Sequence, residues 1–201
     1  MKPEAMMQKP SVRDWLSAVF PALIWLLLRY AGKNLPPAAQ IGLTAGLFVA
    51  AIIWYCREKE SSSSRHCRSR KGIAVFRLSG KDILLWTGVG IACGLLNRLC
   101  FGKSADASSG VPAFLLICVL GPITEEIIYR GLVYERCLRF LPETGAILLN
   151  SLLFAVAHGS PAQMAVAFIA GLLFSFARKK TGTVTAPVIM HIIINLSVFL
   201  F

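Results

Sequence analysis

Two carboxylates and a guanidinium lie within one of the most apolar stretches of this chain. They belong to Glu125, Glu126 and Arg130. Ionisable groups at membrane depth are costly to bury, so they usually face the interior of a helix bundle or a wet cavity, where they mark function. The segment is therefore predicted to carry chemistry.

Two further polar pairs follow in equally apolar surroundings. Phe154 is followed by His158, and His191 is followed by Asn195. Residues spaced i, i+4 share one face of a helix, so each pair is predicted to point in one direction. The chain thus has three helical faces that carry polar groups, and the spacing alone does not say whether the three faces meet.

The helical repeat separates the two glutamates. Glu126 and Arg130 lie about 40° apart on a helical wheel, whereas Glu125 and Arg130 lie about 140° apart. We therefore expect Glu126 to pair with Arg130 in a supporting role and Glu125 to be the freer carboxylate, a candidate general base. A buried ion pair that only locks helices together fits the same spacing.

The two histidine motifs also allow functional and structural interpretations. Gly159-Ser160-Pro161 ends the helix directly after His158, so that a cavity or water can reach the imidazole. His191 and Asn195 offer hydrogen-bond donors of the kind that stabilise an oxyanion. A packing histidine and an interhelical polar clamp are the alternatives.

Composition and hydropathy determine the class of protein. The 201 residues are 56% hydrophobic with a mean hydropathy of +0.65, and the apolar residues fall in runs of membrane-spanning length. An all-α, polytopic transmembrane bundle of about seven helices, within a range of six to eight, is predicted. The predicted spans are Trp15 to Ala31, Ala38 to Cys56, Ile83 to Phe101, Val111 to Tyr129, Gly145 to Ala157, Pro161 to Ala177 and Thr183 to Phe201.

Charge placement predicts the orientation in the membrane. The net charge is +11, and the segment 57–81 contains eight Lys or Arg residues but only two Glu. By the positive-inside tendency, that loop and the N-terminus are expected to be cytosolic in a bacterial-type plasma membrane. No aromatic residues alternate with the basic ones, so nucleic-acid binding is not expected.

The motifs predict how the chain is organised. We expect a single membrane domain over residues 1–201, with a peripheral N-terminal helical pair at 1–56, the basic loop at 57–81 and the functional core at 111–201. Every polar motif lies after Gly121. The six cysteines form no Cys-x-x-Cys pair, which argues against a cysteine-based metal site.

Glu125-Glu126-x-x-x-Arg130, Phe154-x-x-x-His158 and His191-x-x-x-Asn195 together resemble the CPBP family, the CAAX prenyl endopeptidases and bacteriocin-processing (Abi) intramembrane glutamic proteases. The resemblance covers residues 111–201. It implies that Glu125 and His158 activate a water, that His191 and Asn195 form an oxyanion hole, and that Glu126 and Arg130 support the site. It implies no cofactor, and a substrate that is a membrane-embedded or lipid-linked protein or peptide.

Two other functions remain open from the residues alone. One glutamate and two histidines also make a zinc-ligand set, although no His-Glu-x-x-His is present. A membrane protein that does not catalyse a reaction, either an immunity protein or a transporter that uses Glu125 as a proton site, is the second alternative. The sequence does not choose between CAAX-type processing, leader-peptide removal and trimming of a sorting tail.

Overall fold

The computed structural model describes residues 10–66, 78–101 and 110–200. Within these ranges the chain forms seven helical segments and no strand. The helices are α1 Val12–Gly32, α2 Pro37–His66, α3 Gly80–Phe101, α4 Val111–Cys137, α5 Glu143–Val156, α6 Pro161–Thr181 and α7 Thr185–Leu200. The predicted all-α bundle is confirmed.

Five of these helices, α1 to α4 and α6, are long and apolar enough to cross a membrane. The other two, α5 and α7, are apolar but have only 14 and 16 residues. The protein is therefore a multi-pass integral membrane protein. The short α5 corresponds to the predicted span Gly145 to Ala157.

Two helices extend beyond their predicted ends. Span two was expected to end at Cys56, but α2 continues to His66. Residues 57–66 of the predicted loop are therefore helical, and residues 67–77 lie outside the described residues. Span four was expected to end at Tyr129, but α4 continues to Cys137. The reason is that Arg130 is completely buried and does not mark a membrane boundary.

The central helix is α4, which is the most buried of the long helices. It contacts α1 and α2 on one side and α5, α6 and α7 on others. Two stretches of α4, Leu115–Leu120 and Ile127–Val133, have π-helical turns on either side of Gly121–Glu126. Such turns often occur at functional sites, because they shift the helix register and free backbone groups.

Small residues allow the closest helix contacts. A Cβ atom added to Gly90 of α3 would lie 3.1 Å from the Met190 Cα of α7, and one added to Gly171 of α6 would lie 3.1 Å from the Ser151 Cα of α5. Backbones approach in this way in membrane bundles because there is no side chain between them. The α3–α7 contact therefore supports the backbone next to His191.

Charged side chains join several helix ends at one end of the bundle, which we call the ion-paired end. Arg136 of α4 donates to the Ser17 carbonyl of α1 at 2.5 Å and pairs with Glu58 of α2 at 2.7 Å. Lys179 of α6 pairs with Glu143 of α5 at 2.6 Å. The ion-paired end consists of Glu58, Glu135, Arg136, Arg139, Glu143, Arg178 and Lys179.

The α3–α7 contact leads to a stability prediction. We expect Gly90→Leu to lower the melting temperature of the detergent-solubilised protein, because overpacking costs about 1–3 kcal/mol when the neighbour is backbone. The matched control is Gly88→Leu, since a Cβ at Gly88 meets no atom within 4 Å. Equal melting temperatures for the two variants would contradict the packing described here.

Candidate active site

A buried charged cluster joins Glu126, Arg130 and His191. Arg130 Nη1 donates to Glu126 Oε1 at 3.0 Å, and His191 Nδ1 lies 2.8 Å from the same oxygen. Glu126 and Arg130 are fully buried, and His191 is 6% exposed. The pairing expected from the i, i+4 spacing of Glu126 and Arg130 is therefore present. The cluster also joins α4 to α7.

Arg130 also contacts α5 and α6, through a hydrogen bond from its second amino group and through cation–π contacts of its guanidinium. Arg130 Nη2 donates to the Gly171 carbonyl of α6 at 3.2 Å. The guanidinium carbon lies 4.4 Å from the ring centroid of Phe154 and 5.1 Å from that of Phe174. A guanidinium over an aromatic face is attracted by the ring quadrupole, most strongly when water is excluded. The cation is thus stabilised by both a carboxylate and aromatic rings.

The same aromatic rings orient the two histidines. Phe174 stacks on the His191 ring at a centroid distance of 5.1 Å. Phe154 contacts His191 edge to face at 5.7 Å and His158 edge to face at 4.9 Å. The i, i+4 motif Phe154-x-x-x-His158 therefore places one ring between both imidazoles.

A cavity of about 840 Å³ brings the four predicted catalytic residues together. Glu125 of α4, His158 of the α5–α6 turn, and His191 and Asn195 of α7 all line it. His191 Nε2 lies 3.9 Å from Glu125 Oε2. Glu126 and Arg130 do not line the cavity; Glu126 lies behind this wall in contact with His191, and Arg130 pairs with Glu126. The three polar faces therefore converge on one space.

The hydrogen bonds assign a tautomer to each histidine. His158 Nδ1 lies 3.0 Å from the Phe154 carbonyl oxygen, which can only accept. Nδ1 therefore carries the proton, and the lone pair of neutral His158 is on Nε2. By the same argument, the Glu126 carboxylate holds a proton on His191 Nδ1. Each imidazole thus keeps Nε2 for other partners.

The side-chain amide of Asn195 replaces a backbone N–H donor that Pro122 lacks. The Gly121 N–H donates to the Leu116 carbonyl, one residue beyond the α-helical partner. In this register the next donor, to the Ile117 carbonyl, would be residue 122, which is proline and has no N–H. Asn195 Nδ2 donates to that Ile117 carbonyl at 2.8 Å. One further N–H and the side-chain oxygen of Asn195 are then available for other partners.

Arg29 is a site residue that the sequence motifs did not predict. Its guanidinium forms an ion pair with Glu125, and it lines the same cavity. The helical repeat predicted that Glu125 is the freer carboxylate with respect to Arg130, but it did not predict the pairing of Glu125 with Arg29. Residues of α1 line the cavity, so this helix of the N-terminal pair, which we expected to be peripheral, forms part of the wall. The signal was a charged residue directly after Leu26-Leu27-Leu28, but an arginine near the end of a span ordinarily extends to the interface.

Within the described ranges, no group of three or more His, Cys, Asp or Glu side chains is arranged to hold a metal ion. Glu125, Glu126 and His191 lie close together, but the Glu126 carboxylate already pairs with Arg130, and that of Glu125 with Arg29. The donor arrangement therefore does not favour the zinc alternative.

Comparisons with known proteins match the part of the chain that carries the three motifs. The family model described as type II CAAX prenyl endopeptidase Rce1-like matches residues 107–197. This match confirms the family resemblance predicted from the three motifs. It contains all six residues singled out in the sequence and ends shortly after Asn195.

Curated relatives match part of the chain. YdiL of Bacillus subtilis (strain 168) is 28% identical over 95 residues, which are 45% of this chain and 37% of YdiL. The membrane-embedded CAAX protease MroQ of Staphylococcus aureus (strain USA300) is 29% identical over 98 residues, which are 45% of this chain and 40% of MroQ. An uncharacterized 24.3 kDa protein of Escherichia coli is 35% identical over 83 residues, 38% of each chain.

The matched region thus spans about two fifths of the length of these relatives. No solved structure matches the chain significantly. The likeness to curated proteins therefore covers a segment of this chain and not its whole length.

The buried cluster leads to a second stability prediction. We expect Arg130→Met to destabilise the protein by about 3–5 kcal/mol, because it leaves the buried Glu126 carboxylate without its cation. The double variant Glu126→Gln with Arg130→Met should recover part of this loss, since no unpaired charge remains. Thermal unfolding of both variants and of Glu126→Gln measures the coupling; strictly additive effects would contradict a buried ion pair.

Proposed function

We propose that this chain is an intramembrane endopeptidase of the CAAX prenyl protease type, which hydrolyses a peptide bond of a membrane-embedded or lipid-linked substrate. The observation that carries the proposal is the shared cavity, which has Glu125, His158, His191 and Asn195 in its wall. The family match to residues 107–197 and the name of the relative MroQ support a membrane peptidase of this kind.

Glu125 and His158 are proposed to activate the attacking water. The water lies between them and transfers a proton to Glu125 as its oxygen attacks the scissile carbonyl carbon. His158, whose lone pair is on Nε2, accepts a hydrogen bond from the same water and fixes its orientation. The proton then passes to the leaving nitrogen as the C–N bond breaks, so that the carboxylate is regenerated.

His191 and Asn195 are proposed to bind the oxyanion of the tetrahedral intermediate. Asn195 offers the N–H that is not used by Ile117. His191 donates from Nε2, which requires a second proton on the ring because Nδ1–H is committed to Glu126. The Glu126 carboxylate stabilises this imidazolium directly, and Arg130 holds the carboxylate in place. Such fixed donors in a dry site stabilise charge that develops in the transition state.

The substrate class follows from the surroundings of the site. Most of the remaining cavity wall is apolar, including Trp25, Leu28, Leu47, Leu116 and Val198. A segment that partitions into the membrane fits these walls better than a hydrophilic loop does. CAAX-type processing, leader-peptide removal and sorting-tail trimming all present such a segment.

Orientation is part of the proposal. The ion-paired end carries the basic residues of α4 and α6, and the positive-inside tendency assigns it to the cytosol. The cavity reaches Gly32, Lys33 and Gln40 at the α1–α2 turn, at the other end of α1 and α2. Glu125 lies about 18 Å along α4 from its last residue Cys137, at 1.5 Å per residue. We therefore propose that the cavity opens on the side away from the cytosol.

Site variants test the proposed chemistry. We expect Glu125→Ala and His158→Ala to abolish cleavage and Asn195→Ala to reduce kcat about 10²- to 10³-fold, the usual effect of one oxyanion donor. Quantitative proteomics of membrane peptides, comparing wild type with Glu125→Ala, should reveal an accumulated precursor. The control is Glu143→Ala, a carboxylate of the ion-paired end, which should process that precursor normally.

The alternatives give different results in the same experiment. Full processing by Glu125→Ala would end the glutamate assignment, and biological protection or transport that survives in Glu125→Gln would favour a membrane protein without catalysis. Processing that stops with chelator and returns with added zinc would favour a metal enzyme.

Cysteine labelling tests the orientation. In a cysteine-free variant, a membrane-impermeant maleimide should label Asn34→Cys at the α1–α2 turn in intact bacterial cells. It should label Lys180→Cys, at the ion-paired end, only after permeabilisation. The reverse pattern would place the cavity mouth on the cytosolic side.

A further inference from the structure

Arg29 holds Glu125 from outside the segment that matches the family. It lies on α1, whereas the family match begins at residue 107. The Arg29 side chain is 50% exposed and the Glu125 side chain is 7% exposed. Within the described residues, Glu125 is the partner of this guanidinium, through Nη1 alone. Arg29 therefore covers the Oε1 oxygen of the proposed general base.

This ion pair differs from the buried pair behind it. Arg130 is fully buried, uses two amino groups, and lies among aromatic rings. Arg29 uses one amino group and keeps half of its side chain accessible. Pairs with an accessible partner are held weakly and exchange readily for another anion. Arg29 is thus able to leave Glu125 when a competing carboxylate arrives.

The cavity has the complementary charge for such an anion. Glu125 is the one acidic side chain of its wall among the described residues, whereas Arg29 and Lys33 both contribute positive charge. An anion that binds Arg29 keeps the guanidinium paired and frees the Glu125 carboxylate to bind the attacking water. Guanidinium groups prefer carboxylates because their N–H donors match two oxygens at once.

The size and lining of the cavity indicate which carboxylate is bound. A volume of about 840 Å³ is within the range of pockets that enclose a small ligand, and it is large enough for a few residues of a peptide. The apolar wall, which includes Leu43 and Phe199, suits a ligand with apolar side chains. A short apolar tail that ends in a free α-carboxylate satisfies both the wall and the guanidinium.

We propose that Arg29 determines specificity by binding the C-terminal carboxylate of the substrate, an exchange that uncovers Glu125 for the attacking water. The proposal rests on the proposed peptidase function and adds a specificity-determining residue that lies outside the segment matched by the family model. It also assigns to α1 a direct part in substrate recognition.

A pair of peptides tests this proposal. A fluorescent peptide with an S-farnesylated cysteine four residues from its C-terminus is prepared as the free acid and as the C-terminal amide, and is given to the full chain in detergent. We expect wild type to cleave the acid about 10- to 100-fold more efficiently than the amide, the value of a charge-assisted hydrogen bond.

Variants then assign the preference to Arg29. Arg29→Gln should cleave acid and amide at equal rates, with the loss mainly in KM, and Arg29→Lys should keep part of the preference. The matched control is Arg13→Gln, an exposed arginine near the other end of the same helix, which should retain the wild-type ratio. A purely structural Arg29 would lower the rates for both peptides equally in Arg29→Gln.

The outcomes separate this proposal from the proposed function. Equal cleavage of acid and amide by wild type would overturn the role of Arg29 and leave the peptidase standing. If wild type cleaves neither peptide, CAAX-type hydrolysis fails, and fluorescence anisotropy of the same two peptides decides about Arg29. Tighter binding of the acid that disappears in Arg29→Gln supports the proposal, and equal binding overturns it.

Discussion

The site depends on the buried carboxylate of Glu126, which has the guanidinium of Arg130 and the imidazole of His191 as neighbours. Glu126 Oε1 accepts a hydrogen bond from Arg130 and contacts His191, and the core of the bundle around them is apolar. Removing ions from water costs several kcal/mol each, and only good geometry with further hydrogen bonds offsets that cost. The Gly171 carbonyl accepts a hydrogen bond from Arg130, and the rings of Phe154 and Phe174 contact its guanidinium. The requirement to satisfy Arg130 therefore determines how α4, α5, α6 and α7 meet.

The irregular backbone of α4 depends on the same constraint. A straight α-helix with Pro122 in its interior has carbonyls without donors, and lipid cannot satisfy them. The π-helical turns and Asn195 meet this need, and Gly121 and Pro122 both line the cavity. The irregular part of α4 and the wall of the cavity therefore coincide at this proline.

Two ion pairs on consecutive residues have different physical characters. The Glu126–Arg130 pair is inaccessible and rigid, as a structural support must be. The Glu125–Arg29 pair borders a cavity and has an accessible cation, as expected where a ligand has to compete. The 3.6-residue repeat separates the two carboxylates so that one faces the protein interior and the other faces the cavity.

The sequence by itself determined the helical class, the positions of the spans, the pairing of Glu126 with Arg130 and the family resemblance, because hydropathy and i, i+4 spacing are local properties. Their convergence on one cavity, the bond from Asn195 to Ile117 and the contact of Arg29 with Glu125 were decided only by the tertiary structure. Arg29 and Glu125 are 96 residues apart, so no local spacing relates them. Their meeting depends on how α1 packs against α4, which is set by the shape of the whole bundle.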